Sequence, residues 1–324
     1  YFERHDGTAA TVEDFLDAFA TVTGRDLSHF ARWYAQAGTP RVTVRGAYDA
    51  AAQTYRLDFT QATPPTPGQS QKEPIAIPVR LGLVARDGTA LAADAERVGP
   101  QGVFLFDKAQ DSLVFTGVTS APVPSLFRDF SAPVRTSLDL TNEDLLVLLR
   151  HDTDAFNRWQ AGQTVAMRLL VGLATGTAAP DGDFDALARA LRDFLTRDAE
   201  RDPAFAALVL TLPGETDVAQ EIGADVDPDA IHRARLALRR ILGTTCREAL
   251  REVYGRLAES GPYSPDAASA GRRALRNVAL DLLAAADPEL GEPLASAQFA
   301  AASNMTDRLA SLSVLTTLPG EARE

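Results

Sequence analysis

Four histidines (His5, His29, His151 and His232) and one cysteine (Cys246) are the side chains here best suited to ligate a metal or carry a proton. A peptide-hydrolysing zinc site of the HExxH type needs two imidazoles one helical turn apart, with a glutamate between them as general base. No histidine here has such a partner. The contexts are His5-Asp6-Gly7, Ser28-His29-Phe30, Arg150-His151-Asp152 and Ile231-His232-Arg233. G-x-S-x-G, the P-loop and G-x-G-x-x-G are also missing, so serine-nucleophile, nucleotide and dinucleotide chemistry lack their usual cradles. Cys246 follows Leu242-Gly243-Thr244-Thr245 in an apolar helical setting that does nothing to lower a thiol pKa, which predicts a buried, inert thiol. Glu143-Asp144 and Asp152–Asp154 fall at helix starts and in loops, where helix dipoles and solvation account for them. The expectation is therefore that the chain holds no catalytic, cofactor-binding or metal-ligating residue.

Two arginine clusters are the remaining candidates. Arg233, Arg235, Arg239 and Arg240 interleave with Leu236, Leu238, Ile241 and Leu242, which reads as a solvated or ion-paired helix face. Arg272, Arg273 and Arg276 precede Asn277; inward-pointing arginines of this kind suit the lining of a peptide channel. Trp33, Tyr34 and Trp159 are expected to fill cores. Asn304 or Thr306 is expected to cap a helix.

The chain has 324 residues, 45% apolar and 23% charged, enough to bury a sizeable core and about two domains by length. Its formal charge of −12 disfavours a phosphate-backbone partner. A lone cysteine forms no intrachain disulfide and fits a reducing, cytoplasmic location. No run approaches the roughly 18 apolar residues of a membrane span. The start, Tyr1-Phe2-Glu3-Arg4-His5-Asp6-Gly7, has no initiator methionine and no leader, and it reads like the middle of a protein, as does the end at Pro319-Gly320.

These residues sit on three kinds of element. Up to residue 40 the pattern is helical. Thr11-Val12-Glu13-Asp14 resembles a capping box, Phe15, Leu16, Phe19 and Val22 follow at helical spacing, and Gly24 ends the run. Ser28 is the expected cap of a second helix carrying Phe30, Trp33 and Tyr34, closed by Gly38 and Pro40. Strands then follow. Arg41–Arg45 and Tyr55–Thr60 alternate with period two, and Ile75–Val84 is a long strand whose Pro78 predicts an edge position or a bulge. Asp87-Gly88 marks a turn, Val103–Phe106 and Ser112–Phe115 are short strands, and Phe127–Val134 closes a sandwich of about 90 residues. Between the second and third strands lies a Pro-rich loop, Thr63–Pro74. From Leu138 on the pattern is helical. Asn142 is an expected cap, and breaks fall at Pro180-Asp181-Gly182, Asp202-Pro203, Leu212-Pro213-Gly214, Asp227-Pro228, Gly261-Pro262 and Asp287-Pro288. Many helices with short connections predict antiparallel pairs stacked as a solenoid. The fold class is α+β multidomain: a short helical segment (1–40), a small antiparallel β-sandwich (41–136) and a helical solenoid-like domain (137–324).

Taken together, several segments resemble the bacterial aminopeptidase N family of zinc metallopeptidases. They are Tyr1–Gly7 with Ala9-Ala10-Thr11 and Asp14-Phe15; Leu27-Ser28-His29-Phe30 with Trp33-Tyr34, Gln36, Gly38-Thr39-Pro40 and Val42-Thr43-Val44; Pro122-Val123-Pro124, Phe130-Ser131-Ala132-Pro133-Val134 and Arg150-His151; and Leu275-Arg276-Asn277 and Asn304-Met305-Thr306-Asp307. The matches run in order along essentially the whole chain. The resemblance implies the last helices of a thermolysin-like catalytic domain, the β-sandwich that follows it, and the first part of a helical domain enclosing the active site. It also implies zinc in the parent enzyme. The family's zinc motif, exopeptidase loop and transition-state tyrosine match no position here, so none is carried over and no zinc is expected in this segment. The expected role is a non-catalytic spacer and enclosure, inactive alone. Its partners would be the missing catalytic domain and, through the parent, peptide substrates, with no nucleic acid and no membrane. Apolar surface is expected to lie exposed on the first forty residues and on the last helices. The alternative is a free-standing module that binds peptides or proteins.

Overall fold

Short apolar-periodic helices, alternating strands and long amphipathic helices succeed one another in the computed structural model, which describes residues 1–91, 95–99, 101–177, 181–258, 261 and 263–319. Two compact units result, Tyr1–Thr141 and Asn142–Glu324. No described helix is long and apolar enough to cross a membrane.

The first unit opens with helices α1 (Phe2–His5), α2 (Val12–Thr23) and α3 (Arg32–Ala35). Helix α2 has the expected capping box. The Thr11 hydroxyl accepts from the Asp14 N–H while the Asp14 carboxylate accepts from the Thr11 N–H at 2.8 Å, and Gly24 closes the helix at a φ of 66°. The expectation for Ser28 fails. Its N–H is tied to Asp26 Oδ1 at 2.9 Å, and helical geometry begins only at Arg32 for a single turn, with no side-chain cap. Asp26 forms a local Asx turn that outcompetes the cap.

Seven strands follow: β1 (Arg41–Asp49), β2 (Thr54–Ala62), β3 (Ile77–Val84), β4 (Val103–Phe106), β5 (Gln110–Thr116), β6 (Val123–Leu126) and β7 (Arg135–Leu138). They form two sheets, β5-β2-β1-β7 and β4-β3-β6. Alternation buries one face of each: Val42, Val44, Leu57 and Phe59 meet Ile77, Val79, Phe104 and Phe106 in one core, with the Phe59 ring 5.3 Å from Phe104. Pro78 lies in the middle strand of its sheet, not at an edge. This costs nothing, because β4 pairs with residues 77–80 and β6 with 81–84, so at Pro78 only one side carries a ladder. All pairings are antiparallel except β1 with β7, which is parallel and runs to Leu138. The segment read as Phe127–Val134 contains a one-turn 3-10 helix (Arg128–Phe130); Phe127 before it and Asp129 and Phe130 within it have φ of +52 to +57°.

The second unit holds α4 (Asn142–His151), α5 (Ala155–Thr175), α6 (Asp181–Asp198), α7 (Pro203–Leu210), α8 (Glu215–Ile222), α9 (Pro228–Thr245), α10 (Arg247–Arg256), α11 (Ala267–Ala286), α12 (Pro288–Ala301) and α13 (Met305–Thr317). Asp202-Pro203, Asp227-Pro228 and Asp287-Pro288 are helix starts. Each aspartate caps, accepting the N–H three residues on, and each proline takes the first helical position, where no donor is needed. Asn304 caps α13 in the same way, as expected. Asn142 is instead the first residue of α4, and its side chain bridges Asp183 and Arg168. Pro180, Pro262 and Gly320, read above as breaks or stops, lie outside the described residues. Helix α11 runs through the middle of the stack, packed on α7, α9, α10, α12 and α13. Two glycines permit that density: a Cβ on Gly243 would stand 2.1 Å from the Leu282 carbonyl, and one on Gly291 would stand 2.4 Å from Ala284.

Candidate functional site

Within the first unit a set of polar contacts locks the helical segment to the Pro-rich loop. Trp33 Nε1 donates to the Ala76 carbonyl at 2.7 Å. His29 Nε2 and Arg32 both donate to the Pro74 carbonyl, at 3.0 and 2.7 Å. Gln36 accepts from the Glu73 N–H and donates to the Glu73 carbonyl. The loop answers in kind. Gln69 accepts from the Ala37 N–H at 2.8 Å and donates to the Ala35 carbonyl, and Lys72 donates to the Ala37 carbonyl. Side chains of each segment thus satisfy the backbone of the other, which an irregular loop rich in proline needs. Buried Gln61 anchors the loop's far end through both the N–H and the carbonyl of Ile75. Upstream of this clamp, α2 exposes Val12, Phe15, Phe19 and Val22 at helical spacing, beside exposed Tyr1 and Phe2.

The second unit is organised by buried polar contacts between helices. Arg158, 7% exposed, donates to the Leu149 carbonyl and to both oxygens of Asp198, and its guanidinium lies 4.8 Å over the Phe194 ring. Three helices, α4, α5 and α6, converge on it. A second knot joins α11, α12 and α13. Asp307 accepts from Asn277 Nδ2 and Asn304 Nδ2, Gln298 donates to Asn277 and to the Asp307 carbonyl, and Ser311 donates to that carbonyl as well. Beside it the Arg276 guanidinium stacks 4.4 Å from the Tyr254 ring, and burial raises the Tyr254 phenol pKa.

The residues singled out by sequence are dispersed. His5 stacks on Tyr1, His29 belongs to the clamp, and His232 Nδ1 meets Glu215 at 2.9 Å; the Glu215 carboxyl is held below its ordinary range chiefly by that hydrogen bond. His151 is half-buried at the end of α4. Among the described residues no three His, Cys, Asp or Glu side chains are grouped to hold a metal ion. Cys246 is 1% exposed at the α9–α10 junction, and burial pushes its thiol up to about 12. Of the first arginine cluster, Arg239 pairs with Asp281, and Arg235 donates to the Pro213 carbonyl and faces Glu215. Of the second, Arg273 is 3% exposed, bound to the Ser264 carbonyl and stacked 4.8 Å from Tyr263. Arg273 and Arg276 are thus spent on their own unit. Tyr34 is 55% exposed and fills no core, and Trp159 is half-buried against Phe156. Arg158 was not foreseen; its signal is helical phase, because it shares a stripe with Ala161, Gly162, Val165 and Leu169.

Residues 38–139 match a domain of unknown function with an Ig-like fold (DUF3458), and residues 142–324 match its companion with ARM repeats (DUF3458_C). The chain is 46% identical to aminopeptidase N of Caulobacter vibrioides over 329 aligned residues, covering 100% of this chain and 36% of that protein. It is 38% identical to aminopeptidase N of Escherichia coli, with 97% and 36% covered, and 34% identical to that of Haemophilus influenzae, with 98% and 36% covered. A crystal structure of Legionella pneumophila aminopeptidase A in complex with aspartic acid superposes with a TM-score of 0.80 at 25% identity, over 97% of this chain and 36% of that one. The chain thus spans about a third of the length of these relatives. With both family models in register with the two units, the chain belongs to the aminopeptidase N family, as the stretch made of its Ig-like and ARM-repeat domains.

Proposed function

We propose that this chain is the non-catalytic portion of a zinc-dependent aminopeptidase that removes N-terminal residues from peptides. In this reading residues 1–40 are the last helices of the catalytic domain, 41–136 a β-sandwich spacer, and 137–324 part of the helical domain that encloses the active site. The observation that carries it is the clamp. Side chains from His29 to Gln36 fix a helical segment to the sandwich while the apolar ridge of α2 stays exposed. A ridge of four large apolar side chains on one short helix is the surface a neighbouring domain would cover. The similarity to aminopeptidase N over the whole chain supports reading that neighbour as the catalytic domain.

Zinc belongs to the parent in this proposal. The donors present do not fit it: His29 and His232 are committed to Pro74 and Glu215, and the buried thiol of Cys246 resists ionisation. No catalytic step is therefore assigned to this chain. Its contribution is exclusion: a packed helical wall that keeps bulk water and folded substrates from the reacting centre. A cytoplasmic location, with no nucleic-acid or membrane partner, completes the proposal. The net charge of −12 supports the absence of a phosphate-backbone partner. The experiment compares this chain with its full-length parent in the hydrolysis of short peptides. The parent is expected to release N-terminal residues and the chain alone to release none; a chain as active as its parent would overturn the assignment.

A further inference from the structure

Strand β7 lies at one end of its four-stranded sheet, paired only with β1. The Arg135 N–H donates inward to the Pro40 carbonyl, so by strand alternation the N–H and carbonyl of Thr136 face the open side. Residues Arg135, Thr136 and Ser137 are all exposed. On the solvent face of the sheet Arg135 stands in register with Arg41, and Arg45 lies four residues further along β1. Among the described residues, none of these three guanidinium groups has an ionic or hydrogen-bond partner. Arg45 stands across from Asp58 of β2, whereas Arg41 stands across from Ala62, so the like charges of Arg41 and Arg135 on adjacent strands destabilise the sheet with no opposite charge in register.

The opposite end of the same sheet is finished differently. There Asp111 on β5 takes a two-pronged ion pair from Arg97, at 2.7 and 2.6 Å, and Arg97 lies 4.9 Å over Phe104. One end is electrically closed, while the other carries bare positive charge on a chain of net −12. From this contrast the geometry points to β7 as a docking edge for an extended acidic peptide segment. Its backbone would pair with Thr136, and its outward-facing carboxylates would meet Arg135 and Arg41. Backbone pairing gives affinity and the arginines give specificity. A nucleic acid brings charge but no peptide backbone to pair with a strand edge.

The test uses the 324-residue chain and a fluorescent peptide of alternating glutamate and threonine, followed by anisotropy at low salt. Saturable binding is expected. The double variant Arg41→Gln/Arg135→Gln should weaken it by roughly tenfold, the loss of two exposed charge contacts. Thr136→Pro removes the outward N–H at an edge position that tolerates proline, and it should weaken binding while both arginines remain. Arg240→Gln, exposed on α9, should change nothing. Binding unaffected by the double variant or by Thr136→Pro overturns the proposal. So does oligothymidylate binding as tightly through the same arginines. A wild type that binds no peptide, with a double variant that newly self-associates, also overturns it, since the arginines would then merely guard the edge.

Discussion

Arg158 shows how a charged side chain enters the interior of a helical stack. Its charge is matched by Asp198, its remaining donor meets the Leu149 carbonyl, and its flat face lies on Phe194. Removing one partner of such a pair leaves the other charge buried and costs about 3 to 5 kcal/mol, whereas removing both is often mild. Asp198→Ala is therefore expected to lower the midpoint of unfolding of the helical unit sharply, read by the fluorescence of neighbouring Trp159. Arg158→Met combined with Asp198→Leu should recover much of that loss. A single variant as stable as wild type would show that the pair organises nothing. The sequence carries Arg158 only as an irregularity between Phe156 and Trp159; its partner lies forty residues away, beyond the reach of local periodicity. His232 illustrates the reverse case. It reads in the sequence as a single imidazole, and in the structure its Nδ1 meets Glu215 at the surface.

Among the elements, those with a strong local period were legible. Val42, Val44, Leu57 and Phe59 announce β1 and β2 by alternation, and Thr11 with Asp14 announces α2 by its capping chemistry. Elements set by distant partners were not. All four residues of β6 are buried, so it shows no alternation, and α3 begins late because Asp26 captures the Ser28 N–H. The clamp was invisible for the same reason. Its side chains bond backbone groups 32 to 45 residues away, and backbone acceptors leave no mark in a sequence. The clamp is expected to open as one unit. Gln36→Ala removes two hydrogen bonds, worth about 1 to 2 kcal/mol together. Amide exchange should quicken not only at Glu73, its direct partner, but also at Ala37, which bonds to Gln69. Exchange in β1 and β2 should stay unchanged. Faster exchange at Glu73 alone would mean that the contacts act independently and that the segment is not clamped.

On the scale of the whole molecule, two units with their own cores carry the family's Ig-like and ARM-repeat domains. Helix α2 exposes four large apolar side chains and α13 exposes Met305, Leu309 and Leu312, while others, such as Leu105, Phe130 and Leu208, are scattered singly. Chemistry is what the chain lacks in the proposed account, and zinc content tests that most directly. Elemental analysis of the purified 324-residue chain, after equilibration with zinc and gel filtration, is expected to find far less than one zinc per chain. A stoichiometric zinc that survives gel filtration and is removed by a chelator would contradict the account.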